Sequence, residues 1–222
     1  MLNIKEKVKL LDFFITLDEN ELDVICGISK IHTYPKGYTL YYEEEIKEKM
    51  FFLVEGLIKT YKVDRQDNEV FLNYVYDNTL ISEIASIEQD EITCLSNTEF
   101  IKDSIVLEVN YALFKEYFIH TNILTNQLLS EVLRKNKQLY CIIDREVVFD
   151  AIAKVAYSLY DDLEMFNQLK RQEVANMLHI QPATLSRVLQ KLLRQNIISI
   201  ESTTINLLQR DKLKTIFNGV NS

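Results

Sequence analysis

The chain has 222 residues, of which 47% are hydrophobic and 26% charged, and its formal net charge at pH 7 is −8. This length and composition are enough for one large domain or two small ones. The chain has no run of 18 apolar residues and begins without the apolar block of a signal peptide, so we expect a cytoplasmic protein without membrane contact. No Cys-x-x-Cys pair occurs, which argues against a disulfide framework and a metal site; the cysteines are Cys26, Cys94 and Cys141.

The charge is distributed unevenly along the chain. From residue 168 onward the sequence has eight Lys or Arg and three Asp or Glu, so this part carries +5, whereas residues 1–167 carry −13. A basic segment on an acidic body indicates that only the last third of the chain meets an anionic partner such as nucleic acid.

Two short helices are predicted near the N-terminus. Apolar residues recur at helical spacing over residues 4–29, with an interruption around Thr16-Leu17-Asp18. Thr16 and Asp18 are both candidates to cap the second helix, because acidic residues follow in its first turn.

Between about Ile31 and Leu107 the pattern changes to short strands. Segments such as KMFFLVEGLIKTYKV and EVFLNYVY are rich in aromatic and β-branched residues, with stretches that alternate in hydrophobicity. Gly37 and Gly56 fall where a strand would bend or turn. Short strands at this close spacing predict a small antiparallel barrel or roll.

Residues 111–145 return to a helical pattern that contains a coiled-coil seam. Leu124, Leu128 and Ile142 lie off this seam and can face the roll, so we prefer a homodimer through the seam over packing of the stripe on its own chain. The single Asn in the seam fixes the register of a two-stranded coiled coil at some cost in stability. The seam consists of Thr125, Leu129, Val132, Asn136, Leu139 and Ile143.

The last third is predicted to contain three helices followed by two strands. The helices span 148–161, 170–178 and 181–195, and the strands lie around IISIE and TINLL. A turn of three or four residues, filled by Ile180, joins the second and third helices. Two short helices joined in this way form a helix-turn-helix, and the two strands add a wing.

The start of the third helix, QPATLSR, has the residues that a DNA-reading helix needs. Gln181 is a candidate cap, and Pro182 suits the first helical position because its missing N–H has no partner there in any case. The free N–H groups of a helix start attract phosphates. Thr184 and Ser186 offer hydroxyls, and Arg187 can reach O6 and N7 of a guanine. The alternative is an ordinary helical hairpin with a solvated arginine.

The segment RQEVANMLHIQPATLSRVLQKLLRQNIIS resembles the helix-turn-helix block of the CRP/FNR superfamily of bacterial transcription regulators. The resemblance covers nearly the whole chain in order. It implies an α+β fold with three parts: a cyclic-nucleotide-binding-like antiparallel β-roll sensor domain with N-terminal helices over 1–121, a long dimerisation helix over 122–145, and a winged helix-turn-helix DNA-binding domain over 146–222.

The resemblance also implies a set of DNA contacts. Arg187 is expected to read a guanine, and Ser186 to add a base contact. Pro182 and Ala183 bring the helix start close to the groove. Phosphates are expected to be held by Arg171, Gln172, Gln181 and Thr184. Apart from the resemblance, we also expect Lys191 to be a phosphate contact. The implied partners are promoter DNA with an inverted repeat, a second copy of the chain, and RNA polymerase.

Two positions depart from the family's block. The usual turn glycine is His179, which we interpret as a tolerated helix terminator rather than a ligand or sensor. The usual recognition-helix glutamate is Ala183, so a methyl group that can touch thymine replaces a carboxylate that accepts from cytosine. The operator sequence of better-known members therefore does not transfer to this chain.

The sensing site of the family is also altered. The segment LISEIASIEQDEITCLSN corresponds to the phosphate cassette of cyclic-nucleotide binders; Glu83 matches the ribose-binding glutamate, but Ser82 replaces a glycine and the phosphate-binding arginine falls on Ile92. Leu139 and Tyr140 stand at the positions of the adenine-reading hydroxyl pair. We therefore expect no cyclic AMP binding, and we interpret Glu83 as a structural remnant that caps backbone amides.

Other sensors of the family lack their motifs here as well. An iron–sulfur cluster takes four thiolates, and the chain has three cysteines. His32, His120 and His179 lie in no haem-binding motif, and no basic residue adjoins Cys26 or Cys94 in sequence. We predict no cofactor, and the effector stays open.

Three classes of function are open to a chain with these features. The first is a dimeric, sequence-specific DNA-binding transcription regulator whose roll has lost the phosphate arginine. An alternative within this class is a regulatory module in which a cyclic nucleotide, or a redox or haem signal, controls the same DNA-binding domain. The second is a cyclic-nucleotide-binding module without DNA function, which the lost arginine and the retained recognition helix oppose. The third is an enzyme, but no GxSxG, HExxH, P-loop or GxGxxG motif occurs. The sequence predicts the first class and no enzyme.

Overall fold

The computed structural model describes residues 4–219, and these form two compact units that divide between Gln138 and Leu139. Within the described residues, no helix is both long and apolar enough to cross a membrane.

The first unit begins with the two predicted helices, α1 (Ile4–Lys9) and α2 (Glu19–Gly27), joined by a single 3-10 turn. Asp18 caps α2 through a capping box: its carboxylate accepts from the Glu21 amide at 2.9 Å, and the Glu21 carboxylate accepts from the Asp18 amide at 2.8 Å. Of the two candidate caps, Asp18 is therefore the one used.

Ten strands follow, and every pairing among them is antiparallel, which confirms the predicted roll. One sheet has the order β1-β10-β4-β7, a second has the order β2-β9-β5-β6, and β3 pairs with β8. The strands are β1 (Ser29–Tyr34), β2 (Thr39–Tyr41), β3 (Ile46–Lys47), β4 (Lys49–Glu55), β5 (Leu57–Val63), β6 (Glu69–Tyr76), β7 (Thr79–Leu80), β8 (Ile92–Thr93), β9 (Asn97–Phe100) and β10 (Ser104–Asn110).

Strand β4 shows why the roll is rich in consecutive apolar residues. Successive side chains of a strand point to opposite faces. Phe51 and Leu53 pack into a cluster between the two sheets, while Met50, Phe52 and Val54 pack into a second cluster beneath the N-terminal helices. Both faces of β4 are buried, and its sequence KMFFLVE is apolar without alternation for that reason.

Gly56 connects β4 to β5 at a point where two backbone segments approach closely. Its φ is +130°, and a β-carbon at this position would lie 2.0 Å from Oγ of Ser104. A residue with a side chain cannot occupy this position without displacing β10. Gly37 has a φ of +82° but faces open space.

The predicted helix over 111–145 is interrupted, which corrects that part of the sequence interpretation. Helix α3 (Tyr111–Phe114) continues into a π-helical turn (Lys115–Ile119), and the chain then breaks before α4 (Thr125–Ile143). Asn122 adopts a φ of +61° in this break. The break allows Leu124 and Leu128 to enter the core of the first unit, as expected for residues off the seam.

The second unit contains five helices and a two-stranded wing within the described residues. The three predicted helices and both strands are present, but two helices, α6 and α9, were missed. The first helix begins at Ala151 rather than at 148, because Asp150 is its extended N-cap. The elements are α5 (Ala151–Asp161), α6 (Leu163–Gln168), α7 (Arg171–Met177), α8 (Pro182–Arg194), β11 (Ile198–Glu201), β12 (Thr204–Leu207) and α9 (Arg210–Phe217).

Candidate nucleic-acid interface

A tight turn joins α7 to α8 and exposes the start of α8. His179 has a φ of +50°, and the Ile180 amide returns to the Ala175 carbonyl at 3.0 Å, so Ile180 is packed against the core as predicted. Pro182 occupies the first helical position, also as predicted. Gln181 is the N-cap residue, but its side chain makes no capping hydrogen bond, which corrects the expected cap.

The uncapped start of α8 has an amide available to an anion. Within the described residues the Ala183 N–H has no hydrogen-bond acceptor, and Ala183 itself is exposed. The positive end of the helix dipole adds to this donor. A phosphate oxygen is therefore a suitable partner for this position.

Helix α8 separates an apolar face from a polar one. Leu185, Val188, Leu189 and Leu192 are buried in the core of the second unit. The exposed face contains Ala183, Ser186, Arg187, Gln190, Lys191 and Arg194. A shallow cavity of about 310 Å³ lies along this face and is lined by Ser186, Arg187, Gln190, Lys191, Arg194 and Gln195. The sequence interpretation did not include Gln190 and Gln195 and named Arg194 only for its charge, although their helical spacing from Arg187 already placed all three on this face.

The cationic side chains of this face lack acidic partners. In the described part of the chain, Arg187, Lys191 and Arg194 form no ion pair. Arg187 lies back along the helix, with its Nε donating to the Ala183 carbonyl at 3.3 Å. Three cations within two turns repel one another, so an external anion lowers their energy. We define Arg187, Lys191 and Arg194 as the basic row.

Arg171 and Gln172 lie at the start of α7, and Arg171 has a structural partner. Its Nη2 donates to the Thr203 carbonyl in the wing turn at 3.0 Å, and its guanidinium lies 5.5 Å from the centre of the Phe166 ring. Burial lowers the pKa of Arg171. Gln172 is exposed and donates to Oδ1 of Asn176 at 3.2 Å. Arg171 therefore holds the wing, a role that the sequence did not reveal.

The predicted seam residues lie on the exposed side of α4. The exposed fractions of Leu129, Val132, Leu139 and Ile143 lie between 40% and 58%, and Asn136 is exposed as well. Leu133 and Tyr140, which were not predicted, are 58% and 63% exposed on the same helix. The exposed apolar residues therefore form a wider stripe than a strict two-position seam.

In the roll, Glu83 and the residue at the predicted arginine position both have partners within their own chain. The Leu95 amide donates to Oε2 of Glu83 at 3.0 Å, and the Ser96 hydroxyl donates to both carboxylate oxygens at 3.1 and 3.2 Å. Ile92 is only 4% exposed and packs in the apolar core. Glu83 thus caps a backbone amide, in agreement with the interpretation from sequence, and the side chain at the arginine position belongs to the core.

Lys135 of α4 is a further residue that the sequence interpretation missed. Its Nζ donates to the Ile81 carbonyl at 3.1 Å, next to the segment that begins with Ser82 and Glu83. Burial lowers the pKa of Lys135 to about 8, and the nearby charge of Glu83 opposes this shift.

The cysteines and histidines form no cluster suited to a metal. No group of three or more His, Cys, Asp or Glu residues is placed to hold a metal ion among residues 4–219. Burial raises the pKa of the Cys94 thiol to about 12 and also raises that of Cys26, so both thiols are poor nucleophiles at neutral pH.

Comparison with known proteins identifies both units. Residues 31–120 match the family model of the cyclic nucleotide-binding domain, and residues 153–216 match that of the Crp-like helix-turn-helix domain. The cAMP-activated global transcriptional regulator CRP of Salmonella typhimurium is 22% identical over 188 residues, which cover 79% of this chain and 88% of that protein. The cyclic AMP receptor protein of Thermus thermophilus is 20% identical over 215 residues, covering 93% and 97%.

Solved structures share the fold. FixK2 from Bradyrhizobium japonicum superposes with a TM-score of 0.64 at 19% identity, covering 85% of this chain and 97% of that one. A CooA variant from Carboxydothermus hydrogenoformans has a TM-score of 0.71 at 18% identity, covering 92% and 94%. Because both units match in the order that the family has, the chain is a divergent member of the CRP/FNR superfamily, a transcription regulator with a helix-turn-helix DNA-binding domain.

Proposed function

We propose that this regulator acts in the cytoplasm as a homodimer that binds an inverted repeat in promoter DNA and contacts RNA polymerase there. The observation that carries the proposal is the basic row on the exposed face of α8, which has no acidic partner in the described part of the chain although the full sequence has a net charge of −8. Such a row attracts the phosphate backbone, and its position on a recognition helix directs it to the major groove.

In the proposed complex the start of α8 enters the major groove. The Ala183 amide, with Gln181, Thr184 and Gln172, holds phosphates, while Pro182 keeps the helix start close to the DNA. Arg187 extends away from the Ala183 carbonyl and donates to O6 and N7 of a guanine. Lys191 and Arg194 neutralise phosphates deeper along the groove, and the Ala183 methyl contacts a thymine. Ser186 adds a hydroxyl to the base contacts.

A second copy of the chain is the proposed occupant of the exposed stripe on α4. Burial of Leu129, Val132, Leu139 and Ile143 against their symmetry mates removes apolar surface from water at roughly 25 cal/mol per Å². Asn136 lies in the same stripe and specifies the register. Two copies related by a two-fold axis present two recognition helices, which matches an inverted repeat.

In the proposed function the roll does not bind cyclic AMP, unlike the relatives whose names contain that ligand. A cyclic phosphate needs a charged, bidentate partner, and the side chain at that position is the buried Ile92. The carboxylate of Glu83 is already paired with Leu95 and Ser96. These two observations favour a regulator whose DNA binding does not require a cyclic nucleotide.

Selection from a pool of random-sequence DNA duplexes tests the proposal directly. We expect enrichment of an inverted repeat with half-site centres about one helical turn apart, and a binding constant that falls steeply with salt. Light scattering of the free protein at micromolar concentration should give the mass of a dimer, and Asn136→Leu should keep or raise its stability. Sequence-independent binding alone, or a monomer that binds single half-sites, would contradict the proposal.

A further inference from the structure

A carboxylate in the second unit joins the end of the dimerisation helix to the turn of the helix-turn-helix. Glu146 lies in the π-helical turn (Asp144–Val148) that follows α4. Nδ1 of His179 donates to its Oε2 at 2.7 Å, Nε of Arg145 donates to its Oε1 at 2.6 Å, and Nζ of Lys154 lies 3.4 Å from Oε2. One carboxylate therefore connects three segments: the end of α4, helix α5 and the turn before α8.

The cluster is partly shielded from water, which strengthens its ion pairs. The side chains of Arg145 and Lys154 are 12% and 10% exposed, and those of Glu146 and His179 are 26% and 27% exposed. Burial alone would raise the pKa of Glu146, but hydrogen bonds from Arg145 and His179 hold it below its usual value. The carboxylate is thus ionised and keeps its donors at neutral pH.

The backbone at His179 does not explain why a histidine occupies this position. Its φ of +50° lies in the left-handed region, which glycine adopts without steric cost. A side chain is present nonetheless, and it reaches Glu146, 33 residues earlier in the chain. The contact between the two segments is therefore made by the imidazole of His179, and a glycine at this position would lose it.

We propose that Glu146 and His179 are positioning residues that fix the direction of α8 relative to the last turn of α4 and so set the half-site spacing that the dimer accepts. This inference rests on the proposed function, namely two-fold binding to an inverted repeat. Any swing of α8 in one copy is repeated in the other, so a small angular freedom becomes a larger freedom in the distance between the two recognition helices. A dimer in which the Glu146–His179 contact is rigid discriminates strongly between half-site spacings, whereas a dimer without this contact binds operators of several spacings.

The test compares spacing profiles of variants that keep the fold. His179→Gly removes the side chain while relieving the left-handed backbone, and Glu146→Gln removes the charge while keeping the shape. Asn196→Gly is the matched control, because Asn196 also has a positive φ, of +53°, in the same unit but makes no contact with Glu146. Each protein is titrated with the selected operator, with operators lengthened or shortened by one and two base pairs between half-sites, and with an isolated half-site.

We expect the wild type and Asn196→Gly to lose about tenfold or more in affinity for a one-base-pair change in spacing. Both Glu146→Gln and His179→Gly should lose about threefold or less, with affinity for the isolated half-site unchanged within about twofold. The double variant should behave like Glu146→Gln, because loss of the carboxylate charge already weakens the His179 contact together with those of Arg145 and Lys154. The melting temperatures should show that all four variants are folded.

Unchanged spacing profiles in the two single variants would overturn the inference alone. Equal weakening on the isolated half-site would also overturn it, because the residues would then act on groove reading rather than on spacing. Absence of any sequence-specific DNA binding by the wild type would instead overturn the proposed function, and this inference with it.

Discussion

Glu108 of the roll and the basic row of α8 differ in burial and in pairing. Glu108 is buried and accepts from the Tyr34 hydroxyl at 2.8 Å and from Nζ of Lys49 at 2.5 Å. Burial would raise the pKa of Glu108, but these two hydrogen bonds hold it below its usual value. The basic row, in contrast, lies on the surface and has no acidic partner among residues 4–219.

This difference shows that a chain can share the fold of a family without sharing its ligand-binding groups. Both units match their family models, so the shape of each is present. A match in shape requires the apolar pattern and the turns, whereas ligand binding requires particular polar groups that are exposed and unpaired. By that criterion the exposed face of α8 offers unpaired cations to an anionic partner within the described residues, whereas Glu83 of the roll is paired with Leu95 and Ser96 of its own chain.

The largest effect on DNA binding is expected from a substitution at Arg187. Arg187→Ala should cost about 1–3 kcal/mol per half-site and relax the preference at one base pair in each, because a bidentate contact to guanine is lost. Titrations of wild type and variant with the operator and with single-base-altered operators measure both quantities. Arg65→Ala, which removes the same charge from an exposed turn of the roll, serves as the control.

Lys191→Ala should behave differently from Arg187→Ala. As a phosphate contact it should weaken binding to all sequences alike and reduce the salt dependence by about one unit. Uniform weakening by Arg187→Ala as well, with no base position relaxed, would show that the arginine is a phosphate contact and not a base contact.

In the roll, the largest effect on stability is expected at Gly56. Gly56→Ala should lower the free energy of unfolding by roughly 2–5 kcal/mol, because the new methyl group overlaps Ser104 and the φ of +130° is unfavourable for alanine. Gly37→Ala is the matched control: its φ is +82° but nothing lies within 4 Å, so it should cost only about 1–2 kcal/mol. Equal costs in urea denaturation would mean that close approach to Ser104 is unimportant.

A smaller effect is expected at Lys135 and depends on pH. Because its pKa falls to about 8 on folding, the unfolded chain binds more protons between pH 8 and the ordinary lysine value of 10.5, and the contribution of Lys135 to stability rises with pH across this range. At pH 7 the buried charge is costly, so Lys135→Met should be more stable than the wild type by on the order of 1–3 kcal/mol. That difference should shrink towards pH 10 in denaturation measured at several pH values. A difference that stays constant from pH 7 to 10 would show that the charge of Lys135 is not the cause.

The smallest effect is expected from adding cyclic nucleotides, which should not bind. Cyclic AMP and cyclic GMP should give no calorimetric isotherm with micromolar affinity and no shift in melting temperature, because Ile92 supplies no charge to the phosphate. A clear isotherm that Glu83→Gln abolishes would contradict the contrast between the two units, since Glu83 would then bind ribose rather than Leu95 and Ser96.

Local patterns in the sequence were sufficient for the architecture. Apolar periodicity and turn residues predicted the strands of the roll, the helix-turn-helix and the wing, because each of these signals is contained within a few neighbouring residues. Pro182 was placed correctly and Asp18 was one of the two candidate caps for the same reason: a capping carboxylate and a first-turn proline act on amides within three positions. The two missed helices, α6 and α9, have six and eight residues, and both lie outside the helix-turn-helix pattern that identified the seven-residue α7.

Contacts between distant segments were decided by the tertiary structure alone. Lys135 meets Ile81 across 54 residues, Arg171 meets Thr203 across 32, and Glu146 meets His179 across 33. The break before α4 belongs to the same group, because burial of Leu124 in the core of the first unit ends a helical pattern that the sequence continues. Such contacts depend on which apolar faces pack together, and packing brings side chains into contact that no local propensity relates.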